Sequence, residues 1–224
     1  MTRDTNAKIA GFTFLFYAAI GLALEALMHQ ARGVGSNAES LARIGQYAIN
    51  VRVSILIVLL ECFSALVLGV TLYGITREED HELATLGLAC RVAEGLLGTL
   101  RIQGYLGLLW FAERGAAAPD VATTNALSAV LLMPSPIVSI SSIFYAVGNG
   151  IFSFLLLRGR MVPVLLAWLG VLASGMLVVL LPLQLAGFST GLLSGYYQWL
   201  PALVFQIALA LWLLIKGVAT PAIR

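Results

Sequence analysis

Residues 83–111 read LATLGLACRVAEGLLGTLRIQGYLGLLWF, an apolar stretch that is interrupted by charged side chains. At about 1.5 Å of rise per residue, a helix of this length exceeds the ~30 Å hydrocarbon core of a bilayer. Ionised groups at such depth are costly unless paired or hydrated, so we expect them to point away from lipid. Intervals of four, three, four, three and four place six residues on one helical face: Gly87, Arg91, Glu94, Gly98, Arg101 and Tyr105.

The composition of the whole chain agrees with a membrane location. Of the 224 residues, 60% are hydrophobic and 11% are charged, whereas a soluble domain has about 25% charged residues. The formal net charge of +2 is small and scattered, so we expect no nucleic-acid partner. Both cysteines, Cys62 and Cys90, lie in apolar stretches and provide neither a disulfide framework nor a metal site. We therefore expect no metal and no cofactor.

Six segments are long enough to span a bilayer: residues 9–28, 51–75, 83–111, 137–157, 162–186 and 192–215. We predict an all-α fold, a bundle of six transmembrane helices that forms a single domain over residues 1–224. Helical spacing in residues 38–48 and 119–133 predicts short interfacial helices in the first and third connecting loops. Pro134 and Pro136 predict a break before the fourth span.

The distribution of basic residues predicts the orientation of the spans. Seven lie on one side (Arg3, Lys8, Arg77, Arg158, Arg160, Lys216 and Arg224) and four on the other (Arg32, Arg43, Arg52 and Arg114). Because basic loops stay inside, both termini are predicted to be cytoplasmic, in a multi-pass protein of the cell inner (cytoplasmic) membrane. Tyr196, Tyr197 and Trp199 are typical of an aromatic belt at the outer interface.

Acidic residues in the first two spans offer partners for the arginines of the third. Glu25 lies near the outer end of the first span, and Glu61 lies one-third to one-half of the way across the second. Matching by depth predicts Glu61 level with Glu94 and Arg91, and Glu25 level with Arg101 and Arg52. Arg91 and Glu94 are also spaced to pair along their own helix.

The fourth span adds a stripe of small and polar residues at the same four-three spacing: Ser135, Ser139, Ser142, Ala146, Asn149 and Ser153. Such a stripe lets helices approach closely, or it forms a second wall of a polar cavity. The candidate ligand-binding residues are therefore Glu25, Glu61, Arg91, Glu94, Arg101 and Asn149. No catalytic residue is assigned.

Three short segments resemble a family of small bacterial membrane proteins catalogued as domain of unknown function 4386. They are residues 8–11 (KIAG), residues 90–94 (CRVAE) and residues 158–163 (RGRMVP), the last continuing to residues 169–172 (LGVL). The resemblance implies six spans and an Arg-x-x-Glu motif in the third, which Arg91 and Glu94 match. The fourth turn of the family usually reads arginine-serine-glycine before its proline, and Gly159-Arg160 departs from that pattern. The resemblance implies no activity.

Three functions fit these observations. The first is binding or transport of a small polar or amphiphilic molecule, where a cavity of mixed charge suits zwitterions or lipid head groups better than simple ions. The second is a structural, assembly or sensory membrane partner whose ion pairs only fix helix packing. The third is an intramembrane enzyme with Glu61 or Glu94 as general base, which no nucleophile or metal motif supports. The expected partners are the lipid bilayer and a small-molecule or lipid ligand, with the oligomeric state left open.

Overall fold

A computed structural model describes residues 2–33, 37–114, 136–188 and 195–219, together with Ala126 and Ala129. These residues form α1 (Arg3–Arg32), α2 (Asn37–Gln46), α3 (Ala48–Thr76), α4 (His81–Gly98), α5 (Arg101–Arg114), α6 (Pro136–Arg158), α7 (Val164–Leu185) and α8 (Leu200–Ile215), with a 3-10 helix at Gly195–Trp199. No strand occurs in the described ranges. The predicted all-α fold is confirmed.

Six helical segments are long and apolar enough to cross a membrane: α1, α3, the α4–α5 pair, α6, α7, and α8 together with residues 197–199 of the 3-10 helix before it. Their outward surfaces carry exposed apolar side chains such as Leu165 and Leu172, as contact with acyl chains requires. The prediction of six spans is therefore confirmed, and the chain is a multi-pass membrane protein.

The spans pack in chain order into a closed ring, in which each contacts the next and α8 returns to α1. Glycines permit the tight contacts that close the ring. A Cβ atom at Gly11 would stand 2.8 Å from the carbonyl oxygen of Ala210, so α1 and α8 touch backbone to backbone there. Gly170 makes room in the same way for the ring of Phe205, between α7 and α8.

The third span consists of two helices, whereas the pattern of residues 83–111 predicts one. A turn at Thr99 and Leu100 separates α4 from α5, and the Thr99 hydroxyl donates a hydrogen bond of 2.6 Å to the Leu96 carbonyl. A glycine followed by a threonine that bonds the backbone of its own helix weakens helix continuation and so permits the turn here. The polar face survives the interruption because its residues remain buried or partly buried on both sides of the turn.

The first connecting loop contains the predicted interfacial helix. Helix α2 packs against α5 and α1 and buries Ile44 completely. The second predicted interfacial helix, residues 119–133, and the predicted break at Pro134 lie outside the described residues, and α6 begins at Pro136. Both ends of the described chain, Arg3 and residue 219, lie at one end of the bundle, where the backbone of Ala219 bonds that of Met161.

Candidate functional site

The centre of the bundle holds a completely buried arginine. Arg91 on α4 has no exposed surface, and its Nη1 atom lies 2.7 Å from Oε2 of Glu94, the partner that the three-residue spacing predicts. Its guanidinium carbon lies 5.6 Å and 5.4 Å from the ring centroids of Tyr17 and Tyr145. The Tyr17 hydroxyl donates to Oε1 of Glu94 at 2.8 Å. One carboxylate and two aromatic rings together compensate the buried cation.

Glycines on two neighbouring helices make room for this arginine. A Cβ atom at Gly69 on α3 would lie 2.9 Å from Cβ of Arg91, and one at Gly148 on α6 would lie 3.3 Å from its Cδ. Larger residues at either position would collide with the aliphatic stem. The stem is therefore held between α3 and α6, and the guanidinium group is directed to Glu94.

A second ion pair joins α5 to α3. Arg101 donates a hydrogen bond through Nη2 to Oε2 of Glu61, and both side chains are largely buried. The sequence-based prediction placed Glu61 with Arg91, and that partner is wrong. Arg91 is held by Glu94 and the two tyrosines, so the long side chain of Arg101 reaches Glu61 instead.

An internal cavity of about 370 Å³, called the chamber below, opens beside these two ion pairs. This volume is within the range of small-molecule sites, about 300–1,000 Å³. Four charged residues (Glu25, Glu61, Glu94 and Arg101), three aromatic residues (Tyr17, Tyr145 and Trp199) and Ser141, Ser142 and Gln206 line it together with apolar residues.

The aromatic residues form one continuous wall of the chamber. The rings of Tyr17 and Tyr145 are parallel within 6°, with centroids 6.4 Å apart. The Trp199 ring follows at 6.0 Å from that of Tyr145. The wall thus runs from α1 across α6 to the start of α8, with Arg91 behind its tyrosines.

Gln206 on α8 presents an unused donor to the chamber. Its side chain is only 5% exposed, and its Nε2 atom has no hydrogen-bond partner among the described residues. Buried side-chain donors are nearly always satisfied, so this amide is suited to an acceptor supplied from outside the protein.

A smaller cavity of about 200 Å³, called the vestibule below, adjoins the chamber. The two cavities share Glu25 and Arg101, and the vestibule is also lined by His29, Arg32 and Tyr105. It lies toward the end of the bundle opposite both termini. The chamber is thus rich in carboxylates and aromatic rings, and the vestibule in basic side chains.

The structure brings most of the predicted site residues together. Glu25, Glu61, Glu94 and Arg101 line the chamber, and Arg91 supports it from behind. Asn149 is buried, is hydrogen-bonded to Tyr145, and is not among the lining residues. In the described part of the chain, His, Cys, Asp and Glu form no group of three that would hold a metal ion.

Several lining residues were missed from the sequence, among them Tyr17, Tyr145 and Trp199. The sequence gives only a weak indication that Tyr17 points inward: it lies four residues before Gly21 and so next to the inward face of α1. Trp199 resembles a belt residue beside Tyr197, which is indeed exposed. The 3-10 helix and a pair of hydrogen bonds between the amides of Gln184 and Gln198 turn Trp199 inward instead.

The family described as Domain of unknown function (DUF4386) matches residues 9–217, nearly the whole chain. No curated protein and no solved structure matches the chain. The chain therefore belongs to this family, and the matched region contains every residue of the chamber.

Proposed function

We propose that the protein binds, and in doing so can carry, a small polar or amphiphilic molecule in the chamber. The observation that supports this function most directly is the chamber itself, with charged side chains on its lining. Charges that serve only to lock helices together have no need of an adjoining cavity of small-molecule size. Charged side chains that line such a cavity can interact with a ligand in place of one of their protein partners.

The lining favours a ligand that has both polar and apolar parts. Besides the charged residues, the chamber is lined by the apolar residues Ala18, Leu22, Ala202 and Leu203. Leu22 is also 58% exposed, so this apolar lining continues onto the outward surface of α1. The continuity supports entry of an amphiphile from the bilayer.

Filling the chamber tests this function. A Cβ atom at Gly21 would meet only Oε1 of Glu61, at 3.4 Å, so Gly21→Phe places a ring in the chamber without a backbone collision. Gly175→Phe is the matched control, because Gly175 is exposed on α7 with nothing within 4 Å of its Cβ position. Native mass spectrometry of the protein in maltoside micelles would measure how much of each of three amphiphiles stays bound: a monoacylglycerol, a fatty acid and a lysophospholipid.

We expect one of these three amphiphiles to bind as a single retained molecule. Gly21→Phe should weaken it by about tenfold or more, whereas Gly175→Phe should not change it. If no amphiphile is retained, or if Gly21→Phe retains it as the parent protein does, the proposal is wrong.

A structural role is the second candidate, and the pairing of both buried arginines favours it. If the ion pairs Arg91–Glu94 and Arg101–Glu61 only fix helix packing, the protein is an assembly or sensory partner. Gly21→Phe would then leave every property unchanged, while Glu61→Gln would unfold the protein in detergent. Amphiphile binding by the parent protein, and its loss in Gly21→Phe, therefore separates the two candidates.

We infer that both termini face the cytoplasm and that the protein resides in the cytoplasmic membrane. The support is the excess of basic residues at the end of the bundle that carries Arg3, Arg158 and Lys216. A fluorescent protein fused after residue 219 should fluoresce, and alkaline phosphatase fused there should be inactive. Active phosphatase at this position would reverse the orientation.

A further inference from the structure

The geometry points to a zwitterion as the ligand, with its ammonium group in the chamber and its anionic group in the vestibule. This inference rests on the proposed function, and it adds the chemical class and the orientation of the bound molecule.

The ammonium end is assigned from the carboxylates and the aromatic wall. Oε2 of Glu61 is engaged by Arg101, while its Oε1 atom faces the position where Gly21 has no side chain. The Trp199 ring also lines the chamber, beside Tyr145. Aromatic faces combined with carboxylates are the usual recognition elements for organic ammonium groups.

The anionic end is assigned from the arginines of the vestibule. Arg32 and Arg101 both line it, and the buried Nε atom of Arg32 has no hydrogen-bond partner among the described residues. Guanidinium groups bind carboxylates and phosphates through paired donors, and two of them together suit a phosphate. Glu25 stands where the two cavities meet, between the two ends of the ligand.

The charge balance favours a zwitterion over a simple ion. Each of the two ion pairs is neutral by itself, so a simple cation or a simple anion would bring an uncompensated charge to membrane depth. A ligand that carries both signs compensates most of its own charge, and Arg32 in the vestibule faces the remaining negative charge of a phosphate group. The unpartnered Nε2 donor of Gln206, which also lines the chamber, suits a ligand that carries an acceptor oxygen.

The ligand class is therefore an ammonium group joined to a phosphate by a short linker. A phospholipid head group and a free ammonium phosphate share this chemistry. Calorimetry on the protein in maltoside micelles would compare three soluble probes: choline, inorganic phosphate and phosphocholine.

We expect phosphocholine to bind about tenfold or more tightly than choline or phosphate alone, because only phosphocholine engages both cavities. Choline or phosphate binding as tightly as phosphocholine would overturn the inference. If no probe binds but a monoacylglycerol does, the inference fails and the proposed function stands. If nothing binds, both fail.

Variants at the two ends test the orientation. Trp199→Leu and Glu61→Gln should weaken choline and phosphocholine and leave phosphate unchanged, whereas Arg32→Gln should weaken phosphate and phosphocholine and leave choline unchanged. Trp199→Leu keeps the test decisive if Glu61→Gln does not fold. The matched controls are Glu113→Gln and Arg52→Gln, since this exposed ion pair of 2.6 Å lines neither cavity. Equal effects of every variant on all probes would overturn the orientation.

Nanodiscs distinguish a phospholipid head group from a free ammonium phosphate as the source of the ligand. If the ligand is a lipid head group, nanodiscs of phosphatidylcholine should compete with phosphocholine, and those of phosphatidylglycerol should not. If the ligand is free in solution, phosphocholine should bind equally in both. Competition by phosphatidylglycerol alone would contradict the assigned ammonium end.

Discussion

Arg91 shows how a completely buried charge is accommodated in an apolar bundle. Its compensation comes from one carboxylate and two aromatic rings, and its stem fits only because glycines lie on both sides. Removing the carboxylate leaves a buried cation without a counter-charge, which costs more than losing an exposed ion pair.

We predict that Glu94→Gln lowers the free energy of unfolding by about 3–5 kcal/mol, as removal of one partner of a buried pair typically does. Unfolding in maltoside micelles, followed by circular dichroism, measures the change. Glu113→Gln, in the exposed pair with Arg52, should cost less than about 1 kcal/mol. Equal losses from the two substitutions would show that Arg91 does not depend on Glu94.

Arg160 adopts a backbone conformation that favours glycine, with φ at 49°. A residue with a Cβ atom is strained in this conformation, whereas glycine is not. Arg160→Gly should raise the free energy of unfolding by about 0.5–1 kcal/mol. Arg160→Ala should not, because alanine retains the Cβ atom. A stabilisation by alanine equal to that by glycine would remove backbone strain as the cause.

At the scale of the helix, Asp80 caps the N-terminus of α4. Its carboxylate accepts a hydrogen bond of 3.0 Å from the Leu83 amide and another of 3.1 Å from Arg158. The Leu83 amide chiefly, and the Arg158 guanidinium in addition, lower the pKa of this carboxyl group from its usual value. A carboxyl whose folded pKa is depressed stabilises the fold above the unfolded pKa, and this contribution disappears as pH falls through the folded value.

Asp80→Asn should therefore reduce the acid sensitivity of the protein, because asparagine caps a helix without titrating. We expect the unfolding temperatures of the two proteins to converge as pH falls below about 4, near the usual pKa of aspartate. Scanning calorimetry across this range measures the difference. A gap that stays constant with pH would exclude titration of Asp80 as the source.

The elements themselves could largely be predicted from the sequence. Apolar runs of bilayer length determine the six spans, and the cost of charge in lipid determines that Arg91, Glu94 and Arg101 face inward. The turn at Thr99 could not be predicted, because a Gly-Thr pair occurs in many uninterrupted helices. Whether the helix breaks there depends on the contacts of both halves.

At the scale of the whole molecule, closure of α8 on α1 creates the chamber. Gly11→Val should lower the free energy of unfolding by about 1–3 kcal/mol, because its side chain would collide with the Ala210 carbonyl and with Leu214. Gly175→Val, on the open surface of α7, is the matched control for the change in helix propensity. Gly11→Val as stable as the control would mean that the ring does not close through this contact.

This closure also explains which parts of the site could not be predicted from sequence. The carboxylates and arginines were found because charge is rare in such spans. The pairing of Arg91 with Glu94 was found as well, but the partner of Glu61 was not, since the choice between Arg91 and Arg101 for Glu61 depends on three-dimensional packing. Tyr17 and Trp199 line one cavity only because the first and last spans are neighbours, and no local pattern in either span encodes that.

The central claim is that the charged residues surround a solvated internal chamber and are shielded from acyl chains. Gly21→Cys, with Cys62 and Cys90 replaced by alanine, places one thiol in the chamber, and Gly175→Cys places one on the lipid-facing surface. Thiosulfonate reagents modify the thiolate, which forms only where water reaches the sulfur atom. The most direct test is the rate at which a cationic methanethiosulfonate modifies each variant in membranes. The account predicts that Gly21→Cys reacts about tenfold or more faster than Gly175→Cys. Equal rates would contradict it.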